Sequence, residues 1–296
     1  MTEFDVLQRH EGIALATDPA DYRVLNYGGG VQSTALLHMA MRGEFPDGSP
    51  FPRVDLVIHA DTGDELPETV EHVGRQVRAA AAAGLDVAVV SAGNIYDDTL
   101  AKCRDDESRL ASMPLHTHSQ AGDPIIMRRQ CTSEYKLKPM RKEIRRRLGY
   151  RPRQRVKHTV HNLLGITLDE AQRINGSRDK WAWLVYPLCE HGMTRADVVS
   201  YLRAIGEPVP PKSSCVVCPF HRADYWAWLK RERPDHFERA VLLDEEARAS
   251  ERFWDRPVYL HQARVPLADI PDAPIQLDLL ADAVGENAPC GHGCFL

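Results

Sequence analysis

The sequence predicts a doubly wound, mostly parallel α/β sheet followed by a C-terminal helical extension. Three observations support this fold class. Short apolar runs alternate with longer amphipathic stretches, those stretches end at glycines, and three consecutive glycines follow the first apolar run. Such alternation is typical of parallel sheets whose crossover connections are helices. A chain of 296 residues with 43% hydrophobic content is long enough to bury a full core.

The first half of the chain supplies five elements in alternating order. Continuous apolar runs indicate strands buried on both faces of a parallel sheet, and apolar residues three or four positions apart indicate helices. A glycine, Gly43 or Gly84, ends each helix. The predicted strands cover residues 24–27, 54–60 and 85–92, and the predicted helices cover residues 34–43 and 68–84.

Only one α/β core is evident, so we predict one catalytic domain with appendages. Residues 1–20 form an N-terminal arm, residues 21–222 the catalytic domain, and residues 223–296 a helical extension with a cysteine-containing tail. Residues 104–126, which include His116, are predicted to form an exposed polar loop region over the edge of the active site. In the extension we expect Trp226 and its aromatic neighbours to pack a helical layer.

The three glycines lie in the first strand-to-helix turn. Backbone N–H groups and the positive end of the helix dipole meet an anion at such a turn. Gly28, Gly29 and Gly30 let the chain approach a phosphate closely, and Ser33 is expected to cap the helix and to donate a hydroxyl. The turn therefore predicts a phosphate-binding loop, although a merely tight connection would also use glycines.

A second polar loop follows the second predicted strand. Asp61, Thr62 and Gly63 come at its carboxyl end, which lies beside the glycine turn if the two strands are neighbours. Ligands of open α/β sheets bind beyond the carboxyl ends of the strands. Two polar loops converging on one crevice therefore favour a nucleotide site.

A strongly basic block interrupts an acidic chain. Thirteen Lys and Arg residues and only two acidic ones lie between Arg128 and Lys157, whereas the whole chain has a net charge of −5. Within the block, Met140, Ile144 and Leu148 form an apolar stripe at helical spacing, so the helix can pack while its arginines face outward. The block predicts polyanion binding, and the candidate residues are Arg128, Arg129, Lys136, Lys138, Arg145 and Arg146.

Composition also bears on the compartment. The first residues lack the apolar centre of a signal peptide, and no apolar run approaches the length of a membrane span. The seven cysteines are an odd number and are widely spaced, which fits thiolate chemistry in a reducing compartment better than a disulfide framework. We therefore expect a cytoplasmic protein with no membrane partner.

These motifs together resemble a known family. GGGVQS is similar to the pyrophosphate loop (PP-loop) of the adenine nucleotide alpha-hydrolase-like fold, and DTG followed by PET resembles its phosphoadenylylsulfate (PAPS) reductase branch. Residues 186–218 look like the stretch that leads to a GCxxC motif in that branch. The resemblance covers residues 22 to 222 and implies a PP-loop domain that binds the phosphate or sulfate of an adenine nucleotide.

Two positions depart from the PP-loop pattern. Gly28 stands in place of the first Ser, and Gln32 stands in place of the Asp. Gln32 can hydrogen-bond but cannot hold a metal as a carboxylate would. The expected substrate is ATP or a sulfonucleotide, with magnesium as a candidate companion, and the expected nucleotide-binding residues are Gly28, Gly29, Gly30, Gln32, Ser33, Asp61, Thr62, Gly63 and Arg178.

Three cysteines are candidates for metal binding. Cys215 and Cys218 form a CxxC, and Cys131 lies among cations that would favour its thiolate. A CxxC suits a metal ion, an iron-sulfur cluster or a redox dithiol, and spacing alone does not separate zinc from a cluster. Cys189, in an apolar setting, is predicted to be a small buried residue.

The resemblance sharpens these alternatives. In iron-sulfur adenylylsulfate reductases a Cys-Cys pair and a later CxxC supply four ligands to a 4Fe-4S cluster, whereas here the pair reads Gln130-Cys131. Three thiolates leave one iron open to an exogenous sulfide, as in cluster-dependent thiolation enzymes of the PP-loop class. The resemblance thus implies an ATP-dependent sulfurtransferase that adenylates an acceptor carbonyl and replaces its oxygen with sulfur. Structural zinc is the alternative.

The C-terminal tail supports a competing interpretation. Cys290-Gly291-His292 resembles part of the tail whose cysteine attacks sulfur in sulfonucleotide reductases. Cys290 or Cys294 is therefore a candidate nucleophile, sulfur carrier or fourth cluster ligand, unless the tail has no role. If Cys290 is the nucleophile, the enzyme is an adenylylsulfate or phosphoadenylylsulfate reductase that releases sulfite and requires a thiol donor.

A third alternative lies outside enzymology. A zinc-stabilised nucleic-acid-binding protein could retain the glycine loop without catalysis and use its basic block to bind RNA or DNA. In the sulfurtransferase interpretation the same block would hold a polyanionic acceptor such as tRNA or DNA, and a sulfur donor would be a further partner.

Overall fold

A five-stranded parallel sheet forms the centre of the molecule, and this confirms the predicted fold class. The computed structural model describes residues 11–105, 113–250 and 256–271. In spatial order the strands run β3-β2-β1-β6-β7, and all neighbouring pairs are parallel. The strands of this sheet are β1 (Tyr22–Asn26), β2 (Leu56–Asp61), β3 (Val87–Ser91), β6 (Val160–Leu163) and β7 (Ala182–Val185), and a separate hairpin contains β4 (His116–His118) and β5 (Pro124–Ile126).

Helices connect the strands and form a C-terminal layer. A π-helix (Thr132–Leu137) leads into α4, and two short 3-10 helices cover Leu168–Arg173 and Leu267–Asp269. Within the described residues, no helix is both long and apolar enough to cross a bilayer. The α-helices are α1 (Val31–Arg42), α2 (Pro67–Ala82), α3 (Ile95–Arg104), α4 (Lys138–Arg147), α5 (Pro187–Glu190), α6 (Arg195–Ala204), α7 (Ala223–Glu232) and α8 (Pro234–Ala249).

The two faces of the sheet are packed differently. On one face, which we call the packed face, α1, α2 and α6 bury side chains such as Leu25, Val57 and Leu163 in a large apolar cluster. On the other, which we call the cavity face, a smaller cluster includes Leu56 and Ile144 of α4. Successive residues of a strand point to opposite faces, so β1 and β2 contribute to both clusters.

The predicted elements of the first half lie close to the observed ones. The first helix begins three residues earlier than predicted, because Gly30 and not a later residue is its N-terminal cap. Its C-terminal stop, Gly43, adopts φ +75° as a left-handed cap requires. The stripe of Met140, Ile144 and Leu148 packs α4 against the cavity face, as the helical spacing predicted.

Strands β6 and β7 were not predicted. Each is only four residues long. β6 carries His161 and Asn162 between its apolar residues, and β7, although apolar throughout, is too short to be told from a buried helical segment. The segment after residue 10 also joins this side of the sheet, because Ile13 forms a parallel bridge with Leu184. The predicted arm over residues 1–20 therefore contacts the sheet in its described part.

The C-terminal helices pack against a separate apolar cluster. Trp226 of α7 is fully buried there, as the sequence predicted, together with Leu243 of α8 and Val217. The region over residues 104–126 contains the β4–β5 hairpin, so the predicted exposed loop at His116 is wrong. His116 is buried in this hairpin, and its Nε2 donates to the carbonyl of Pro219 at 2.9 Å.

Candidate functional site

The order in which the chain adds strands to the sheet reverses between β1 and β6, and the carboxyl ends of these two strands lie side by side. The chain passes from β1 outward to β2 and β3 on one side, whereas β6 and β7 extend the sheet on the other. Such a topological switch point opens a crevice between the loops that follow the two central strands. Here those loops are residues 27–30 after β1 and residues 164–166 after β6.

The glycine turn connects β1 to α1 in a conformation that a side chain would disturb. Gly29 adopts φ +79°, and a Cβ there would lie 2.7 Å from Cγ2 of Val73. Gly30 caps α1 with no side-chain hydrogen bond, and a Cβ added to it would meet nothing within 4 Å. There is therefore free space beside Gly30 at the start of α1, where the helix dipole favours an anion.

The side chains that follow the glycines are held from two sides. Ser33 does not cap the helix, because its hydroxyl donates back to the carbonyl of Gly30 at 3.1 Å. Gln32 donates from Nε2 to Glu170 at 3.1 Å and accepts at Oε1 from Arg195 at 3.3 Å. The predicted cap is thus wrong, and Gln32 is committed to a polar network beside the turn.

Gly165 is a site residue that the sequence analysis missed. A Cβ at this position would lie 2.8 Å from the backbone nitrogen of Ser33, so the loop after β6 passes directly against the start of α1. Only glycine permits this approach. No signal identified it, because β6 itself went unpredicted.

The second predicted loop lies beside the first, since β1 and β2 are neighbours. Asp61 at the end of β2 is exposed and accepts from the N–H of Gly63 at 2.7 Å. Thr62 is only 1% exposed, and its hydroxyl lies 3.3 Å from Sγ of Cys215. The side chain of Thr62 therefore contacts a thiol of the CxxC.

Ser213 joins the glycine turn to the CxxC segment. Its Oγ donates to the carbonyl of Gly28 at 2.6 Å and lies 3.1 Å from Oε1 of Glu65. Glu65 also forms an antiparallel bridge with Cys215. The chain that carries the thiols is therefore attached to the glycine turn after β1 and to the loop after β2, two residues before the first cysteine.

Asp64 accepts two backbone hydrogen bonds from the CxxC segment. Its carbonyl accepts from Val216 N at 2.6 Å, and its Oδ2 accepts from Val217 N at 3.1 Å. Oδ1 lies 3.5 Å from Nη2 of Arg239 but forms no hydrogen bond of good geometry. Burial raises the pKa of Asp64 to about 6, against the opposing effect of the Val217 N–H.

The CxxC forms a compact turn whose backbone groups are satisfied by the protein. Cys218 N donates to the carbonyl of Cys215 at 3.2 Å, and Nε2 of the buried His221 donates to the same carbonyl at 2.9 Å. Tyr225 donates its hydroxyl to the carbonyl of Val216 at 3.2 Å. The turn is therefore held by Tyr225 of α7 and by His221, just before α7, as well as by Asp64.

Burial dominates the chemistry of the first thiol. It raises the pKa of Cys215 well above the usual range, and the nearby ammonium of Lys136 opposes this shift less strongly. Burial also lowers the pKa of His221 to about 3, so its ring is neutral at pH 7. Cys215 is accordingly a thiol in this environment unless a cation compensates the charge.

Cys131 belongs to another segment that packs against the same apolar cluster as Cys215. It lies at the start of the π-helix and packs, like Cys215, against the apolar cluster of the C-terminal layer. In the described ranges, no three His, Cys, Asp or Glu side chains converge as a metal ion requires. The thiol chemistry of Cys131, Cys215 and Cys218 suits an iron-sulfur cluster, but their described arrangement does not form a complete metal site.

A cavity of about 730 Å³ opens on the cavity face next to these loops. Gly28 and Glu65 line it at the crevice, and the sheet contributes Asn26 and Asn162. Its volume lies within the range of small-molecule sites. Of the remaining predicted nucleotide-binding residues, Arg178 also lines this cavity.

The basic block divides into two groups. Arg128, Arg129 and Lys136 line the cavity. Arg145 instead donates to the carbonyls of Arg151 and Gln154. The other two predicted polyanion-binding residues lie beside acids on their own helical segment, because Arg146 pairs with Glu143 and Lys138 lies 4.0 Å from Glu134.

Arg141 adds a cation at the rim that the candidate set omitted. It lines the cavity and pairs with Asp179 at 2.5 Å, which links α4 to the loop before β7. The site therefore has several cations on its α4 side, and the strands contribute the neutral amides of Asn26 and Asn162. Cys290 and Cys294, the candidate tail residues, lie outside the described residues.

Comparison with known proteins agrees with this geometry. The sequence profile described as the phosphoadenosine phosphosulfate reductase domain matches residues 23–211, which is more than half of the chain. The match begins in β1 and ends just before Ser213. No curated protein matches the chain at a significant level.

Proposed function

The chain belongs to the phosphoadenosine phosphosulfate reductase domain family, and from this premise we propose that it is an ATP-dependent sulfurtransferase. It would adenylate a carbonyl oxygen of an acceptor and then replace that oxygen with sulfur. The family supports an adenine nucleotide as the ligand. The choice of reaction rests on the surroundings of the glycine turn.

One observation carries the proposal. Ser213 bonds the carbonyl of Gly28 at 2.6 Å and lies only two residues before Cys215. A nucleotide whose phosphates rest on the glycine turn would therefore have a thiol-bearing segment beside it. Phosphate and sulfur chemistry can then act on one bound molecule, which neither a phosphate loop nor a CxxC would achieve alone.

The first step needs charge stabilisation more than acid–base groups. The acceptor oxygen would attack the α-phosphorus of ATP, and pyrophosphate would leave. Backbone N–H groups at Gly30 and the start of α1 would hold the phosphate oxygens, and Lys136 would offset negative charge from the opposite wall of the cavity. Preorganised donors of this kind lower the barrier because they need not reorganise.

The second step needs sulfur close to the adenylated carbon. AMP would leave as sulfur takes the place of the oxygen that adenylation has activated. We propose that Cys131, Cys215 and Cys218 would hold a 4Fe-4S cluster, whose fourth iron would lack a protein thiolate and would be open to the sulfide. Thr62 would hydrogen-bond the thiolate of Cys215.

The cations that line the cavity suggest the kind of acceptor. Arg128, Arg129 and Lys136 lie together on its α4 side, where they would bind phosphates of a nucleic-acid or nucleobase substrate. tRNA and DNA are both compatible with this chemistry. A sulfur donor would be a further partner, and we expect the reaction to take place in the cytoplasm.

Two assays test the proposal against its main rival. The sulfurtransferase should release pyrophosphate from ATP in the presence of acceptor, whereas a reductase should release sulfite from adenylylsulfate or phosphoadenylylsulfate with a thiol donor. Cys290→Ser separates them further, because it should abolish sulfite release if Cys290 is the reductase nucleophile. Sulfite release without any ATP-dependent pyrophosphate release would contradict the proposal.

Anaerobic purification tests the cofactor. The proposal predicts iron and acid-labile sulfide in the purified protein and broad visible absorbance that Cys131→Ser, Cys215→Ser and Cys218→Ser each reduce. Cys189→Ser is the matched control, because Cys189 is buried at Ile166 and donates to its carbonyl. Stoichiometric zinc without iron would support the structural-zinc alternative.

A further inference from the structure

Two asparagines interrupt the cavity face of the sheet, where a parallel sheet ordinarily presents apolar side chains. Asn26 is the last residue of β1, and Asn162 lies in the neighbouring β6. Both line the cavity, and Asn162 is only 9% exposed. Amides in such a place are costly unless they are hydrogen-bonded, so each of their polar atoms calls for a partner.

A fixed acceptor sets the orientation of both amides. Asn162 donates from Nδ2 to the backbone carbonyl of Trp183 at 3.5 Å. Its Oδ1 consequently faces Asn26, whose Nδ2 donates to it at 3.3 Å. A flipped Asn162 would place its oxygen against the Trp183 oxygen, and a flipped Asn26 would place two side-chain oxygens together.

These two hydrogen bonds form a relay from Trp183 through Asn162 to Asn26, and the relay leaves an acceptor atom on Asn26. Because Asn26 uses Nδ2 toward Asn162, its Oδ1 is the atom left to interact with a ligand. Within the described part of the chain, no other group donates to Asn26 Oδ1. The cavity therefore contains a hydrogen-bond acceptor of fixed orientation at the switch point of the sheet.

Apolar side chains line the same cavity as this acceptor. Leu164 continues β6 on the same face as Asn162, and Leu184 lies opposite Asn162 in the register of β6 and β7. Both line the cavity, and Met140 and Ile144 of α4 line it from the other side. A planar, largely apolar ring with a donor on its edge has the complementary chemistry.

We infer that Asn26 determines the nucleoside specificity of the site. Its Oδ1 accepts a hydrogen bond from the bound nucleoside, either from the exocyclic amino group of adenine or from a ribose hydroxyl. A base with a carbonyl in place of the amino group would place its carbonyl oxygen against Oδ1 of Asn26. Both atoms are acceptors, so neither would have a hydrogen-bond partner. This inference rests on the proposed function, because it takes the ligand to be a nucleotide.

Nucleotide affinities measured by calorimetry test the inference. ATP, inosine 5′-triphosphate and the 2′- and 3′-deoxy analogues of ATP are titrated into the wild-type protein and into Asn26→Ala. The wild type should prefer ATP over inosine triphosphate ten- to a hundredfold, and Asn26→Ala should reduce that ratio to threefold or less. If Asn26→Ala instead loses a wild-type preference for ATP over one of the deoxy analogues, the hydrogen bond is assigned to the ribose hydroxyl that this analogue lacks.

Asn162→Ala tests the relay by freeing the Asn26 amide to rotate. It should bring the ATP to inosine triphosphate ratio below about threefold while ATP affinity stays within about fivefold of the wild type. Asn175→Ala is the matched control, because Asn175 lines the same cavity but donates to the carbonyl of Arg173. Its selectivity ratio should equal that of the wild type.

The outcomes separate this inference from the proposed function. Equal wild-type affinity for all four nucleotides would overturn the inference alone, and so would a uniform loss of affinity in Asn26→Ala with unchanged ratios. Failure of every nucleotide to bind would overturn the proposed function. Thermal melting shows whether each variant folds, and if Asn26→Ala does not, Asn162→Ala decides the question.

Discussion

The two faces of the central sheet are built for different purposes. On the packed face, three helices bury the side chains of β1, β2 and β6 in one continuous core. On the cavity face, α4 covers only part of the sheet and leaves a cavity of about 730 Å³ lined by amides and cations. The packed face therefore contains the larger apolar core, and the cavity face contains the space in which we propose that the nucleotide binds.

The two faces meet at the glycine turn. Gly29 lies so close to Val73 of the packed face that an added Cβ would clash with it, while Gly28 lines the cavity and accepts a hydrogen bond from Ser213. A nucleotide bound at this turn would therefore contact the edge of the packed face and would react on the cavity face. Each prediction below tests whether the division holds.

Truncation of a core side chain should show the largest effect. Leu25 is fully buried in the packed face, so Leu25→Ala should lower the free energy of unfolding by about 2–5 kcal/mol. Met140→Ala is the counterpart on the cavity face and should lower it by about 1 kcal/mol, because Met140 is only partly buried. Urea unfolding measures both, and equal losses would contradict the division.

Acid should destabilise the packed face through His72. Burial, reinforced by Arg75, lowers the pKa of His72 to about 4, and Arg75 donates to its Nδ1 at 3.1 Å. Between the unfolded pKa of 6.5 and about 4, the unfolded chain binds more protons than the folded one. Stability should therefore fall by roughly 3 kcal/mol as the pH drops through this window.

Urea unfolding at intervals from pH 7 to pH 4 measures this effect. His72→Gln should reduce the loss of stability over this window, because glutamine does not titrate, whereas His221, whose pKa burial also lowers, should keep the remaining acid sensitivity. His158→Gln, at an exposed position, should keep the wild-type profile. An unchanged slope in His72→Gln would assign the acid sensitivity to other groups.

Charge removal should separate binding from stability on the cavity face. Lys136 lines the cavity, so Lys136→Ala should weaken nucleotide binding or turnover about tenfold or more. Lys138→Ala is the matched control, because Lys138 is largely exposed beside Glu134 and should change affinity less than twofold. Equal effects of the two variants would show that general charge, and not the cavity, attracts the ligand.

The glycine turn should show the smallest difference in stability. Gly29→Ala forces a side chain into φ +79° and against Val73, which should cost about 1–2 kcal/mol. Gly30→Ala meets no atom within 4 Å at an allowed φ and should leave stability nearly unchanged. Thermal melts of both variants, compared with the wild type, measure the difference.

Much of the fold could be predicted because its first half obeys local rules. The alternation of apolar runs and the stops at Gly43 and Gly84 located three strands and two helices to within a few residues. Strands β6 and β7 were not predicted, because β6 has two polar residues among four and the four apolar residues of β7 are too few to distinguish a strand from a helix. Their place in the sheet is set by pairing with β1, which is a tertiary contact.

Of the candidate site, the sequence predicted the motifs but not the contacts that join them. The glycine turn and the CxxC were visible as sequence, but Ser213, which joins them, is an ordinary serine until the chain folds. The basic block likewise appeared uniform, whereas Glu143 and nearby carbonyls occupy the arginines at its far end. Contacts between distant residues decide which member of a motif reaches the cavity.

A structure of the protein with a non-hydrolysable ATP analogue tests the central claim most directly. The account predicts that the phosphates rest on the turn of Gly28, Gly29 and Gly30, at the opening of the cavity and beside the segment from Ser213 to Cys218. Phosphates bound elsewhere, with the glycine turn empty and Ser213 still bonded to Gly28 but remote from the ligand, would contradict it.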